Sequence, residues 1–464
     1  MIAPLKQSMH RLGALLITVS GVFPAASIFI MGQDVIHQAG TGALWCFLAA
    51  GLLALATAYV YAELSSAFPL TGGEYSMIGA TMGPAWGFMA LGLNIVGGGL
   101  GQAVTALGLA EYLSVVVPGA PVVPVALIAT LLVTVLSVLH IRTNAWITGV
   151  FLAVELAAVV VLTGLGIFHP HRGLDAVLLH PQTLDLMGAL APTPLAAMGL
   201  ATAGAIYAFN GYGGACYFGE EMYEARTRIA WVIFWSLALG AVAELAPIAA
   251  FTTGAGGLKT VLAADAPLQA FILQSGGVWL NKAVSLGVAF AIVNAMIAVA
   301  LINARQLYAS ARDGVWPKAW NDALGAVHPR LGSPWIACVV MGIATAACCF
   351  MSLDFLIMLT SNGLVLVYAG VSVATLVGRR NGSTASGHYR MPLYPLAPIV
   401  SLIALAAVAA ADLADAKTGR PSLLSNLAVM ALFAAYYGFY LRRRGGWTLR
   451  GADGEAIGLG YPAA

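Results

Sequence analysis

The feature that most limits this chain is a succession of twelve apolar runs, near residues 12–36, 42–67, 83–112, 121–141, 145–168, 192–221, 229–254, 278–304, 334–352, 354–378, 393–414 and 422–441. Most approach or exceed the roughly 20 residues that a helix needs to cross hydrocarbon. None alternates apolar and polar residues as a barrel strand does, so the chain reads as an all-α polytopic membrane protein with twelve transmembrane helices. Charge agrees: 9% of the 464 residues are Asp, Glu, Lys or Arg, where soluble domains carry about a quarter. That excludes a soluble enzyme. With 21 Lys and Arg against 19 Asp and Glu, no basic tract exists to follow a phosphate backbone, and nucleic acid is not an expected partner. The lipid bilayer is.

Basic residues between the runs set the orientation. Sixteen of the 21 fall in the amino-terminal segment, the even-to-odd connections and the tail, while Arg172, Lys259, Lys282, Lys417 and Arg420 lie on the other side. Both termini are therefore expected to be cytoplasmic, in a cytoplasmic (inner or plasma) membrane. The first run is too long for a secretory h-region and no small-residue cleavage site follows, so no cleaved signal peptide is expected. The connections 169–191 and 255–277 read as outer surface loops with some local helix, and residues 313–326 as an inner connecting helix. Cys46, Cys216, Cys338, Cys348 and Cys349 lie in apolar runs without metal-type spacing to histidine. They read as small apolar fillers, so neither a metal nor a cofactor is expected.

Two places should interrupt their helices. The first run carries Ser20-Gly21-Val22-Phe23-Pro24-Ala25-Ala26-Ser27-Ile28-Phe29 near mid-membrane. Proline donates no backbone bond and its ring collides with the preceding turn, so the helix breaks or kinks just before Pro24. Backbone freed there is tolerable only around a cavity or a polar ligand; a plain proline kink is the competing reading. Pro24 suits the first position of a restarted half-helix, which would leave amides at Ala25, Ala26 and Ser27 free to meet negative charge. The sixth run carries Tyr207-Ala208-Phe209-Asn210-Gly211-Tyr212-Gly213-Gly214, and glycine accepts non-helical backbone most readily. The two breaks lie five runs apart. An odd repeat inverts topology, so runs 1–5 and 6–10 read as inverted halves whose broken helices meet at the midplane, a known arrangement for a secondary-transporter site.

Several stretches resemble the amino acid, polyamine and organocation permeases. They are Tyr61-Ala62-Glu63-Leu64-Ser65-Ser66-Ala67-Phe68-Pro69-Leu70-Thr71-Gly72-Gly73-Glu74-Tyr75, Tyr207 to Tyr212 with Glu220-Glu221, Asn303 to Pro317, and Tyr389 to Pro395. The resemblance implies the leucine-transporter-type fold of 5+5 inverted repeats plus two helices, divided as residues 1–168, 169–380 and 381–464, the last with a cytoplasmic tail. It also implies transport by alternating access. Where such permeases have Gly-Ser-Gly in broken helix 1, this chain has Ala25-Ala26-Ser27; where many carry an acid on helix 6, it has Gly213. A pocket aromatic of some relatives aligns with Tyr207, and a helix-8 aromatic that stacks on substrate in some exchangers aligns with Val299.

Ionisable residues at membrane depth are costly and so are candidates for function. Glu155 lies eleven residues past Asn144, roughly 17 Å in at about 1.5 Å per residue. The resemblance aligns it with a lysine that replaces a sodium ion in many proton-coupled relatives. Burial at that depth makes proton exchange near neutral pH feasible; a Na⁺ ligand, a counter-ion for an amine and a neutral structural acid are the alternatives. Glu244, roughly 24 Å in, either shapes a vestibule or supports a bend with Pro247. Glu63 lies close to the inner surface, suited to pairing with an arginine. Asn210 and Asn294 are central uncharged polar groups, able to contact substrate or to bond freed backbone.

The resulting expectation is a secondary active transporter of a small amino acid or organic amine, coupled to H⁺, with Na⁺ as the alternative ion. Substrate would meet Phe23, Pro24, Ala25, Ala26 and Ser27 on helix 1, Tyr207, Phe209, Asn210 and Gly211 on helix 6, and Asn294 on helix 8. Its ammonium would face carbonyls around Phe23 and Phe209. Glu155 would carry the coupling ion, and Phe29 and Tyr212 would act as gates. A polyamine or monoamine permease is the rival within this class, and a non-transporting nutrient sensor the rival outside it. No nucleophile, base and orienting group occur together, so an enzyme is not expected. Nothing in the sequence sets an oligomeric state.

Overall fold

Helices occupy all twelve apolar runs in the computed structural model, which describes residues 5–444 and 447–451. The chain opens with α1 (Arg11–Val22), α2 (Pro24–Ser27), a π-helical turn over Ile28–Gly32 and α3 (Gln33–Ala39). It continues through α4 (Ala43–Ala67), α5 (Glu74–Met82), α6 (Pro84–Val116), α7 (Val122–Ser137) and α8 (Ile141–Phe168). A connection with α9 (Leu174–Leu179) and the antiparallel pair β1 (Gln182–Leu184) and β2 (Leu190–Pro192) leads to α10 (Leu195–Ala208). A 3-10 stretch, Tyr212–Phe218, precedes α11 (Ala225–Gly254), α12 (Leu258–Leu262) and the long α13 (Pro267–Arg312), which turns at Gly277. Then come α14 (Lys318–Leu324), α15 (Trp335–Cys348), α16 (Leu353–Asn381), α17 (Leu396–Ala414) and α18 (Gly419–Tyr436).

Among the described residues, eight helical stretches are long and apolar enough to cross a membrane, the first of them, Arg11–Ala67, taking in two of the runs; Val122–Ser137 and Trp335–Cys348 are shorter apolar helices. The outward faces are apolar too. Leu131, Leu132 and Val135 on α7 and Trp146, Val150 and Val160 on α8 are exposed, a surface that water would penalise and lipid would not.

At the centre α1 packs against α8, α11 and α13, while α6 lies against α13 and α16. The break expected before Pro24 is present: Phe23 is left-handed (φ 43, ψ 59) and Pro24 starts α2. A non-glycine residue in that region is costly and persists only where surrounding packing holds it. The second break is also present, with Gly211 at φ 116 between α10 and the 3-10 stretch. Two local features differ from the expectation. The 169–191 connection contains a small β-pair, tied to the first half by Gln182 N–H donating to Thr41 Oγ1 at 2.8 Å. The stretch after the second run contains a helix of its own, α5, almost wholly buried.

One face of the bundle is braced by ion pairs. Arg379 donates from Nε and Nη2 to the two carboxylate oxygens of Glu63 at 2.5 and 2.8 Å, the arginine pairing expected for Glu63. Arg305 pairs with Glu221, and Arg312 with Glu220. Asp313 accepts from the Tyr75 hydroxyl and, at 3.1 Å, from the Arg450 amide. Residues 447–451 thereby dock on this face, where Trp447 lies buried against Tyr75 and Gly79. The rest of the expected tail, from residue 452 on, lies outside the described residues.

Candidate functional site

The two breaks touch. A Cβ built on Gly211 would lie 2.2 Å from the Gly21 carbonyl oxygen, so no side chain fits there and the positive φ is one that glycine adopts freely. Beside this contact opens a cavity of about 150 Å³, room for roughly ten water-sized probes or one small solute. Phe23, Tyr207, Asn210 and Gly211 border it at the breaks. Gly97, Gly98 and Gly101 form one wall on α6, and Val299, Ile302 and Thr360 face it from α13 and α16. Its lining on α6 runs from Leu93 to Thr105, about 18 Å of helix. Towards the ion-paired face it ends on Glu74, Tyr217 and Gln306.

Glu74 is the carboxyl group in this lining. Tyr61 donates its hydroxyl to Glu74 Oε1 at 2.8 Å, and the Tyr217 hydroxyl and Asn94 Nδ2, at 3.4 Å, reach Oε2. The group lies on α5, between two apolar runs, and its burial pushes the carboxyl from 4.5 up to about 7, against the pull of its backbone amide, Tyr61 and Asn94. Gln306 is 1% exposed and its Nε2 has no partner, leaving a buried donor at the same end.

At the helix-1 break a second set of groups is assembled. Glu155 Oε1 accepts the Ala25 amide at 2.9 Å and its Oε2 accepts from Asn294 Nδ2 at 3.3 Å. Asn294 also donates to Ser20 Oγ at 3.0 Å. Two residues along α2, Ser27 donates to Glu244 Oε1 at 2.7 Å. Glu155, Glu244, Asn294 and Ser27 are all fully buried. Leu156 and Ala243, next to the two acids in the chain, belong with Ala25, Val159 and Ala291 to one small apolar cluster.

The sequence pattern of the amino acid permeases matches residues 10–434. The chain belongs to the amino acid permease family. This permease is 32% identical over 349 residues to an uncharacterized transporter of Mycobacterium tuberculosis, covering 73% of each chain. It is 22% identical to the branched-chain amino acid permease BcaP of Bacillus subtilis over 81% of its own length and 82% of the relative's. It is 25% identical to cationic amino acid transporter 7 of Arabidopsis thaliana over 78% of its own length and 63% of the relative's. The permease is thus a mostly helical, multi-pass membrane protein of a transporter family.

Of the ten residues read as substrate contacts, the permease brings Phe23, Tyr207, Asn210 and Gly211 to the cavity. Pro24, Ala25, Ala26, Ser27, Phe209 and Asn294 are buried and outside its lining. The half-helix amides are not all free as expected, because Ala25 N–H is held by Glu155 and Ser27 N–H by the Phe23 carbonyl at 2.8 Å. That carbonyl, expected to face an ammonium, therefore already accepts a bond. Phe29 and Tyr212, the expected gates, are also buried outside the lining: Phe29 packs edge-on against Tyr112, and Tyr212 bonds the Thr57 hydroxyl. Asn210 Oδ1 accepts from Tyr368 at 3.0 Å. A Cβ on Gly213 would meet the Tyr61 ring at 2.7 Å, so tyrosine fills the space beside this glycine.

Glu244, read as shaping a vestibule or supporting a bend with Pro247, accepts the Ser27 hydroxyl of α2. Glu74, Tyr217, Gln306 and Tyr368 were not among the residues read as site. Gly97, Gly98 and Gly101 mark a stretch of α6 that neighbours approach closely, as the Asn303 side chain does at Gly98. No comparable pattern marks Glu74, whose environment is made by side chains from other helices.

Proposed function

We propose that this permease is a secondary active transporter that moves a small amino acid or organic amine by alternating access, coupled to H⁺ through Glu155. The observation that carries this reading is the cavity bordered by the touching breaks at Phe23 and Gly211. Broken helices at mid-depth supply the polar backbone that a hydrocarbon-embedded site otherwise lacks. The same observation supports twelve transmembrane helices in a 5+5 inverted repeat of residues 1–168 and 169–380, followed by the two helices of residues 381–464. The distribution of basic residues supports a cytoplasmic membrane with both termini inside.

Substrate would occupy the cavity between Phe23, Tyr207, Asn210 and Val299, with its polar end towards the helix breaks. Relatives named for branched-chain and for cationic amino acids support an amino acid as cargo. A permease for polyamines or monoamines is the second reading, favoured by Glu74, an acid in the cavity lining without a basic partner among its hydrogen bonds. Glu155 would take up the coupling proton as the Ala25 bond loosens, and Na⁺ binding there is the alternative.

Uptake into proteoliposomes tests both readings. Labelled leucine, alanine and arginine are compared with labelled putrescine, with and without an inward pH gradient. Gradient-stimulated uptake of an amino acid supports the first reading and uptake of putrescine alone the second. Binding of either kind of solute without flux would turn the assignment to a sensor.

A further inference from the structure

The half-helix α2 is only four residues long, yet two acids from different helices hold it. Glu155 on α8 accepts the Ala25 amide at 2.9 Å, and Glu244 on α11 accepts the Ser27 hydroxyl at 2.7 Å. Both carboxyl groups are fully buried. Glu244 Oε2 has no partner, and neither does Oδ1 of Asn294, the amide that bonds Glu155. These two orphans are acceptors, so the site is short of protons or cations rather than of oxygen atoms.

The two acids reach the same four-residue half-helix two residues apart, Glu155 from α8 at the Ala25 amide and Glu244 from α11 at the neutral Ser27 hydroxyl. Leu156 and Ala243, their neighbours in the chain, join Ala25, Val159 and Ala291 in a small apolar cluster. Two like charges so enclosed cannot both be ionised cheaply, because each destabilises the other and neither is compensated. Glu155, with its backbone and amide donors on both oxygens, is the better place for a charge. Glu244, with one bare oxygen, is the better place for a proton.

We propose that Glu155 and Glu244 are one coupled proton-binding pair that carries a single negative charge, and that loading the second proton loosens α2. This rests on the coupling reading given above for Glu155 and adds Glu244 as its second site. In the singly charged pair Glu155 is ionised and its bond from Ala25 is charge-assisted. When a proton from one side of the membrane binds Glu155 the pair becomes neutral, and the Ala25 bond weakens to an ordinary one. Release of that proton to the other side restores the charge and the grip. Nothing is oxidised or reduced, and one proton enters and leaves per cycle.

The test is infrared titration of the full-length protein in liposomes, which needs no ligand. A protonated carboxyl shows its own C=O stretch, and the wild type should keep one such band, assigned by its loss in Glu244→Gln, above the pH at which the Glu155 band is bleached. In Glu155→Gln the Glu244 band should bleach at lower pH than in the wild type, because the opposing charge is gone. If Glu244→Gln does not fold, Ser27→Ala leaves both acids in place and should shift the frequency of that one band. An unshifted titration in Glu155→Gln, or a Glu244 group already ionised when Glu155 titrates, overturns the proposal. Uptake separates the two claims: gradient stimulation that survives Glu155→Gln overturns the coupling reading itself, whereas stimulation lost in Glu155→Gln together with an unshifted Glu244 titration in that variant overturns only the pair.

Discussion

Glu155 occupies the gap in helix 1, its Oε1 2.9 Å from the Ala25 amide that the broken helix leaves exposed. The residue that a bilayer would be expected to exclude is thus the one that satisfies the backbone at the point where the helix stops. An uncharged isostere keeps the shape and an acceptor but not the charge.

Glu155→Gln should therefore fold, because its side-chain carbonyl can still take the Ala25 bond. It should lose the stimulation of uptake by an inward pH gradient in proteoliposomes, giving equal rates with and without the gradient. A sodium requirement in the wild type would instead assign Glu155 to Na⁺.

Gly211→Ala should be destabilising. Its Cβ would fall 2.2 Å from the Gly21 carbonyl oxygen at a backbone φ of 116, so the new methyl meets backbone that cannot move without separating the two broken helices. The strain alone is worth about 1–3 kcal/mol. Thermal unfolding in detergent should show a lower midpoint, and a midpoint equal to wild type would mean that the two backbones are not in contact.

Glu74 gives a pH dependence whose sign is fixed. Burial raises its carboxyl from 4.5 to about 7, so between those values the folded protein holds a proton that the unfolded chain has lost. Stability then falls as pH rises from 4.5 towards 7 and levels off above. The contribution is on the order of 3 kcal/mol. Glu74→Gln should flatten that slope in unfolding midpoints measured across the range, and Tyr61→Phe, which removes a donor to the ionised form, should extend the fall to higher pH.

Glu221 and Arg305 are 2% and 1% exposed, and Arg305 also donates to the Leu301 carbonyl at 3.1 Å. Glu221→Ala strands a buried guanidinium and should cost about 3–5 kcal/mol. Replacing both, with Glu221→Leu and Arg305→Met, should recover much of it. A double variant as unstable as the single one would show that the pair contributes more than charge compensation.

Much of the frame was legible because its causes are local. Pro24 donates no backbone bond to the turn before it, and Gly211 sits where a turn of positive φ was open to it. The site was less legible for the opposite reason. Glu155 meets Ala25 across 130 residues of chain, and the depth of an acid along its helix says nothing of what it will face. Burial of Glu74 is created by Tyr61 and Tyr217 from other helices. The amides of Ala25 and Ser27 looked free because a helix start leaves them so; it took tertiary packing to bring Glu155 to the first and the Phe23 carbonyl to the second.

The docking of Trp447 beneath Tyr75 has a bearing on synthesis. A chain emerging from the ribosome can insert its helices in order, but the ion-paired face stays incomplete until residue 450 is made, since Arg450 supplies the backbone groups that meet Arg312 and Asp313. Early helices must wait for late ones. A chain truncated just before Trp447 would still contain every apolar run and still reach the membrane, yet would leave Tyr75 and Gly79 uncovered, an incomplete product of the kind that quality-control proteases recognise by exposed apolar surface.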